Sequence, residues 1–315
     1  MRAGFLLFVV RRACAAGVLI FVVSSAALIL ARLAPGNQFS SFDMDPRVAA
    51  AECERIRCHD PVLVQYAAWL GRTIRFDFGQ SSRYGRPVGS LVRERASNSL
   101  TLGALALMLA TLLGVPAGVM SGSRSTGAIA ELTRVASIIL LSCPPLIAAL
   151  TLLLMASRTG WFPIGGLPGG EATLSEHLRY LALPVLALAL PTAATLERLQ
   201  SRAIQDVLAE PCIRAAAARG LSRRRIVWRH AWKLSLASVL GVYGVVIGAL
   251  ISGSFVVEYL MAWPGLGSLM YEALVARDAY LSAGCAAAGA LALAAGIFVA
   301  DIALVAVDPR ATGHA

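Results

Sequence analysis

Four side chains with ligand or redox chemistry stand close together: Cys53, Cys58, His59 and Asp60. Such a set suits a zinc ion, or a disulfide if the segment is exported. The Cys-x-x-Cys spacing of common zinc sites is absent, and on one continuous helix the two cysteines are poorly spaced for a bridge. No metal site is expected, and a Cys53–Cys58 disulfide stays open. Asp301 is the clearest carboxylate inside an apolar stretch. Proton-coupled carriers and intramembrane enzymes need such groups, but Asp301 sits near the end of its stretch, where a structural pairing with an arginine is the alternative. His59, His177, His230 and His314 all fall in loops or tails. A phosphate-binding loop ends in Gly-Lys-Ser/Thr, whereas the sole lysine, Lys233, follows Trp232 and precedes Leu234. The chain is expected to have no catalytic residue, cofactor or nucleotide site of its own. If it moves a solute actively, ATP and Mg belong to another subunit.

A different kind of signal lies between Ala203 and Ser235, a segment dense in arginine. Pro211 suits the first turn of a helix. Ile213 to Arg219 reads Ile-Arg-Ala-Ala-Ala-Ala-Arg, a strong helix former. Gly220 suits the left-handed residue that ends a helix. Ser222 is a good N-cap for a second helix over 223–233. Helix, tight turn and helix would project a smooth, alanine-lined surface on which a partner can pack. A solvated basic loop that only sets topology is the alternative, and composition leaves the two level.

The elements that must hold this loop are set by hydropathy. Of the 315 residues 57% are hydrophobic and 15% charged, with a mean hydropathy of +0.70; soluble domains are about half apolar and about a quarter charged. A membrane span needs about 20 mostly apolar residues. Six candidates run Val9 to Ala31, Ser99 to Met120, Val135 to Ala156, Tyr180 to Leu196, Leu236 to Val257 and Ala283 to Val307. Pro116, Pro144, Pro145, Pro184 and Pro191 lie within them and read as local kinks. The apolar run after Arg11 and Arg12 is longer than the core of a signal peptide, so the first span reads as a retained anchor. Cys14, Cys143 and Cys285 read as packing residues in spans, and Cys212 as a reduced thiol. Gly114, Gly118 and Gly122, like Gly244 and Gly248, recur every four residues and allow close helix approach.

Charge then orients the spans. The side bearing both termini holds fifteen arginines and lysines, nine of them from Glu197 to Ser235; the short loops opposite hold Arg158, Arg179 and Arg277. Basic residues collect in cytoplasmic loops, so both termini and the arginine-rich loop are expected inside. The net charge of +10 is thereby explained without nucleic acid. The long loop between the first two spans is expected outside. It carries an Asp60-Pro61 helix start, with Leu63, Tyr66 and Leu70 at helical spacing beside Trp69. This reads as an amphipathic helix at the membrane surface. Trp161 and Trp263 are expected as outer interfacial anchors, and Trp228 and Trp232 as inner ones.

The segment Ile213 to Ser222, followed by Arg229-His230-Ala231, resembles the coupling motif of the dipeptide, oligopeptide and nickel permeases of ATP-binding-cassette importers. The resemblance extends along nearly the whole chain: Asp60-Pro61, Gln65-Tyr66, Trp69-Leu70, Phe78-Gly79, Arg86-Pro87-Val88, Thr101-Leu102, Gly160-Trp161-Phe162-Pro163, Leu183-Pro184, Leu190-Pro191, Glu258, the run from Ala262 to Gly267, Ala276-Arg277-Asp278, Asp301 and Asp308-Pro309-Arg310. It implies an all-α membrane protein: residues 1–34 as tail and first span, 35–97 as a structured external loop, and 98–315 as the permease core with the coupling loop at 197–235. It implies ATPase coupling through Arg214, Ala215, Ala216, Ala217, Ala218, Arg219, Gly220, Leu221 and Ser222. The implied partners are a second permease subunit, two ATP-binding-cassette ATPase subunits and an external substrate-binding protein, around a pathway for peptides or a similar small solute. The family's Asn after the His-Ala pair and its later Pro are replaced by Leu234 and Ser238, and its opening glutamate by Arg214. A stand-alone secondary transporter or channel is the rival reading. It would be expected to show inverted repeats and polar sites at mid-membrane, and no convincing internal repeat is visible.

Overall fold

A computed structural model of the chain describes residues 2–33, 60–73, 77–124, 127–169 and 173–307. Among these residues the architecture is helical, with one isolated bridge between Gln80 and Pro87. The helices are α1 (Arg2–Leu33), α2 (Val62–Thr73), α3 (Val88–Ser123), α4 (Ala128–Leu141), α5 (Pro145–Thr159), α6 (Leu174–Leu208) and α7 (Pro211–Ala218). Then come α8, in three consecutive pieces (Arg223–Arg225, π-wound Ile226–Ala231 and Trp232–Leu240), α9 (Tyr243–Leu260), α10 (Leu266–Val275) and α11 (Ala279–Val307). Five helices are long and apolar enough to cross a membrane, and α4 with α5 makes a sixth crossing if the pair counts as one span. Cys53, Cys58 and His59 lie outside the described residues, as do 308–315.

The third expected span is not one helix with a local kink. It breaks at Ser142-Cys143-Pro144 into α4 and α5, which meet at 101°. Two adjacent prolines explain this. Pro145 has no N–H to continue the ladder and drives the residue before it out of the α region, and Pro144 sits at φ −57, ψ 152. Cys143 therefore belongs to the break. The prolines of the fourth span act otherwise: Pro184 and Pro191 lie inside α6, which runs unbroken for 35 residues and starts on a capping box between Thr173 and Glu176. The fifth span begins later than expected, at Tyr243, after a turn at Gly241-Val242.

The chain parts into two compact units, with divisions falling inside α1, α3 and α11. One unit comprises residues 10–100 and 264–294. Here α2 forms where Asp60-Pro61 predicts, but its apolar face is turned into the protein instead of a membrane surface. Trp69 is 1% exposed, in a cluster with Leu28, Val88, Leu91, Leu269 and Leu281. The Tyr66 hydroxyl lies 2.9 Å from the Ser25 hydroxyl. The stretch 77–87 is pinned to α10 and the start of α11. The Ser81 hydroxyl donates to the Asp278 carboxylate at 2.7 Å, and the Tyr84 phenol donates to the Glu272 carboxylate.

The other unit comprises residues 101–263 with 295–315 and the first nine residues. Its core is built on α6, whose Leu183, Ala187, Leu188, Ala189, Ala193 and Leu196 are buried against α3, α5 and α9. Trp263 is 3% exposed within this core and is no interfacial anchor, whereas Trp161 is 72% exposed. The glycine stripe of α3 lies along α6: a Cβ at Gly114 would stand 2.9 Å from Leu196 Cβ, and one at Gly122 would stand 2.8 Å from Ser201 Cα. The absence of side chains at these positions lets the two backbones touch.

Candidate functional site

The alanine-rich segment forms a short helix ended by a left-handed glycine. α6 continues to Leu208, well into the segment expected as loop, and Glu210 at φ −67, ψ 145 opens α7 with Pro211 in its first turn. At the far end Gly220 has φ +80. The Leu221 amide donates to the Ala216 carbonyl at 3.4 Å, and the Gly220 amide to the Ala217 carbonyl at 3.0 Å. This is the paired pattern of a Schellman motif, which satisfies two otherwise open carbonyls and needs φ > 0 at the glycine. Among the described residues, none beyond its chain neighbours lies within 4 Å of where a Gly220 Cβ would be. The glycine is required by the backbone turn, and the space outside it is open.

One side chain holds this helix down. Ile213 is 5% exposed and packs into a cluster with Val119 of α3, Ile204 and Val207 of α6, and Ile226, Val227 and Ala231 of α8; Leu221 folds against the same cluster. Most of the rest faces outward. Arg214, Ala215, Ala217, Ala218, Arg219, Gly220 and Ser222 are exposed, while Ala216 and Leu221 are half-buried. The nine residues expected to couple thus form one continuous surface, with the exposed alanines Ala215, Ala217 and Ala218 flanked by Arg214 and Arg219.

The second helix of the motif differs from expectation in two respects. Ser222 occupies the N-cap position, at φ −62, ψ 143, but makes no capping hydrogen bond with its side chain. The helix is π-wound from Ile226 to Ala231 and then runs on to Leu240, beyond the expected end at Lys233. The wider winding delivers Ile226, Val227 and Ala231 together to the Ile213 cluster. Arg223 ties the start of this helix to the end of α3, its guanidinium donating to the Ser123 carbonyl at 2.7 Å.

Sequence reasoning missed a set of polar ties between α6 and its neighbours. Glu197 is 3% exposed and accepts from the Ser121 hydroxyl of α3; Gln200 is fully buried and its amide donates to the Ser235 hydroxyl of α8 at 2.7 Å. A signal for them existed. Ala193, Glu197 and Ser201 recur every four residues, as do Gly114, Gly118 and Gly122, and the two stripes mate. The surface from Arg214 to Ser222 is therefore joined to α3, α6 and α8 through buried apolar packing, and those three helices are tied to one another by hydrogen bonds. Displacement of α7 would load all three helices. Asp301, the other candidate, lies on α11 and is half-buried.

Comparison with known proteins adds to this geometry. Residues 114–313 match the family described as binding-protein-dependent transport system inner membrane component. The chain is 32% identical over 311 residues to the oligopeptide transport system permease protein AppB of Bacillus subtilis, covering 96% of this chain and 98% of that protein. It is 32% identical over 274 residues to the oligopeptide transport system permease protein OppB of Salmonella typhimurium, covering 86% of this chain and 88% of the relative. A putative peptide permease protein of Brucella suis is 29% identical over 293 residues, 90% of this chain and 91% of that one.

Proposed function

Since the chain belongs to the family of binding-protein-dependent transport system inner membrane components and is a multi-pass permease subunit of an ATP-driven importer, we propose that its cargo is a peptide and that the surface from Arg214 to Ser222 docks an ATPase subunit. In this reading a second permease completes the pathway, two ATPase subunits sit on the side of α7, and an external binding protein delivers the peptide. Both termini and α7 lie on the cytoplasmic side, as the basic residues of the short loops suggest. ATP and Mg bind the ATPase subunits only, and this chain catalyses nothing. The relatives named as oligopeptide permeases support the cargo.

The observation that carries the docking role is the contrast within one helix: Ile213 is buried, while Arg214 and the alanines beside it stand free. A helix rooted by one residue and otherwise bare presents a surface that a groove can grip without large side chains to desolvate. Closure of the ATPase pair on ATP would move α7 as a rigid piece, and the packing around Ile213 would pass that motion to α3, α6 and α8. The two states would differ in their contacts to the ATPase, as coupling between sites requires.

The test uses the complete transporter in proteoliposomes. Labelled oligopeptide should accumulate only with ATP on the α7 side, and Ala217→Cys should crosslink to an ATPase subunit. An intact, transporting complex whose position 217 reaches no ATPase would overturn the docking assignment. Uptake that proceeds without ATPase subunits would overturn the importer mechanism.

A further inference from the structure

A cavity of about 210 Å³ opens between α4 and α6, lined by Arg134 and Ile138 of α4 and by Glu197, Arg198, Arg202 and Gln205 of α6. Its charges are unbalanced. Glu197 turns its carboxylate onto the Ser121 hydroxyl. Arg134 is fixed at the rim: its guanidinium donates to the carbonyls of Ser121 at 3.3 Å and Arg124 at 3.1 Å and lies 3.6 Å from Glu131. Arg198 and Arg202 stand one turn apart on α6, both exposed, and neither makes an ion pair or hydrogen bond with a described residue. Asp206, one turn beyond Arg202, pairs with neither. Like charges at this spacing repel, and an anion between them would relieve that repulsion.

On the α4 side Ile138 opens the cavity onto an apolar wall. Ile138 is 52% exposed and its neighbour Ile139 is 63% exposed, on a helix that also leaves Leu132 and Val135 bare. A free inorganic anion has no use for such a wall, whereas a lipid has both a charged head and chains. We propose that this cavity seats the phosphate head of an anionic phospholipid between Arg198, Arg202 and Arg134, with its acyl chains along Ile138 and the outer face of α4. Basic pockets between spans on the cytoplasmic side take anionic heads in this way. The assignment rests on the orientation proposed above, which puts the C-terminal half of α6 at the inner leaflet. A lipid held there would brace α4 against the helix that carries the coupling surface.

The experiment takes the assembled transporter in mild detergent and measures bound lipid by native mass spectrometry, with phosphatidylglycerol or phosphatidylcholine added. Phosphatidylglycerol should be retained in preference, R198Q/R202Q should weaken that retention about thirtyfold, and R198K/R202K should restore most of it. Equal retention of the two lipids by the unmodified complex overturns the proposal even if the glutamine variant fails to assemble. Equal retention by the unmodified complex and R198Q/R202Q also overturns it. Displacement of the lipid by millimolar inorganic phosphate would mark a free-anion site and overturn it too. A photocrosslinker at Ile138 should capture lipid; capture of a partner subunit would assign the face to protein. None of these outcomes changes the Ala217→Cys crosslink, so failure here is distinct from failure of the docking reading.

Discussion

Gly118 of α3 lies so close to Glu197 of α6 that a Cβ on the glycine would stand 2.6 Å from the glutamate's carbonyl oxygen and equally close to Gln200 Cβ. The two helices meet backbone to backbone, one turn from the hydrogen bond between Ser121 and the Glu197 side chain. A stripe that the sequence shows only as glycines four apart is thus the seam along which α3 and α6 are joined.

Filling that seam should cost stability. Gly118→Ala is expected to destabilise the chain by about 1–3 kcal/mol, because backbone atoms of α6 cannot move aside as a flexible side chain could. Gly118→Leu should prevent assembly. Thermal melting and folded yield in detergent measure both, with Gly17→Ala, whose Cβ would have no described residue outside its own helix turn within 4 Å, as the control without a clash.

Gly220→Asp should abolish uptake while leaving membrane insertion and chain stability nearly intact. The turn needs φ +80, at a cost of about 1 kcal/mol for a residue with a Cβ, and Asp tolerates this region better than most. Among the described residues, none beyond its chain neighbours lies within 4 Å of the added Cβ. The loss comes from a carboxylate trapped against the ATPase without a partner. Peptide uptake by a complex of normal abundance is the readout. Normal uptake by the variant would remove α7 from the coupling path.

Ile213→Ala should act differently, from inside. Removing a side chain that is 5% exposed costs about 2–5 kcal/mol, and Ile213→Val about 0.5–1.5 kcal/mol. The expected signature is ATP hydrolysis that continues without cargo transport, as the lever loses its seat. ATPase rate and uptake measured on the same proteoliposomes check it; parallel loss of both in proportion to folded protein would show only a structural defect.

The stretch 77–87 should come loose in alkali. Burial, reinforced by the hydrogen bond to Glu272 and opposed more weakly by Arg83, holds the Tyr84 phenol above its ordinary value of 10.0. A folded pKa above the unfolded one contributes stability that is complete below the unfolded pKa and is lost as pH rises through the folded one. Melting temperature should therefore fall above about pH 10 in the unmodified chain. Tyr84→Phe should melt slightly lower at pH 8 and show a shallower alkaline fall.

The orientation is testable with two thiols in a chain otherwise free of cysteine. Cys212, exposed at the start of α7, should react with an impermeant maleimide only from the cytoplasmic side. Ser90→Cys, exposed near the start of α3, should react only from outside. The reverse pattern would invert the topology.

Apolar runs of span length, helix starts such as Asp60-Pro61 and the one at Pro211, and the glycine that closes α7 were legible from residue order, because each depends on neighbours within a turn or two. The helical membrane class and the exposed alanine surface follow from the same local rules. What residue order could not supply is which face of each element finds protein. Trp69 reads as part of a membrane-surface helix and Trp263 as an interfacial anchor, yet both are buried, since partners distant in sequence cover them. Pro144-Pro145 splits a span by 101° whereas Pro184 and Pro191 leave α6 whole; a proline's effect depends on whether packing on either side holds the helix together. Ile213, Glu197 and Gln200 look unremarkable in the sequence and acquire their roles only when α3, α6 and α8 converge on them. Local propensity determined the elements and the shape of the turn at Gly220. Tertiary packing, a matter of long-range complementarity between faces, decided what that turn is attached to.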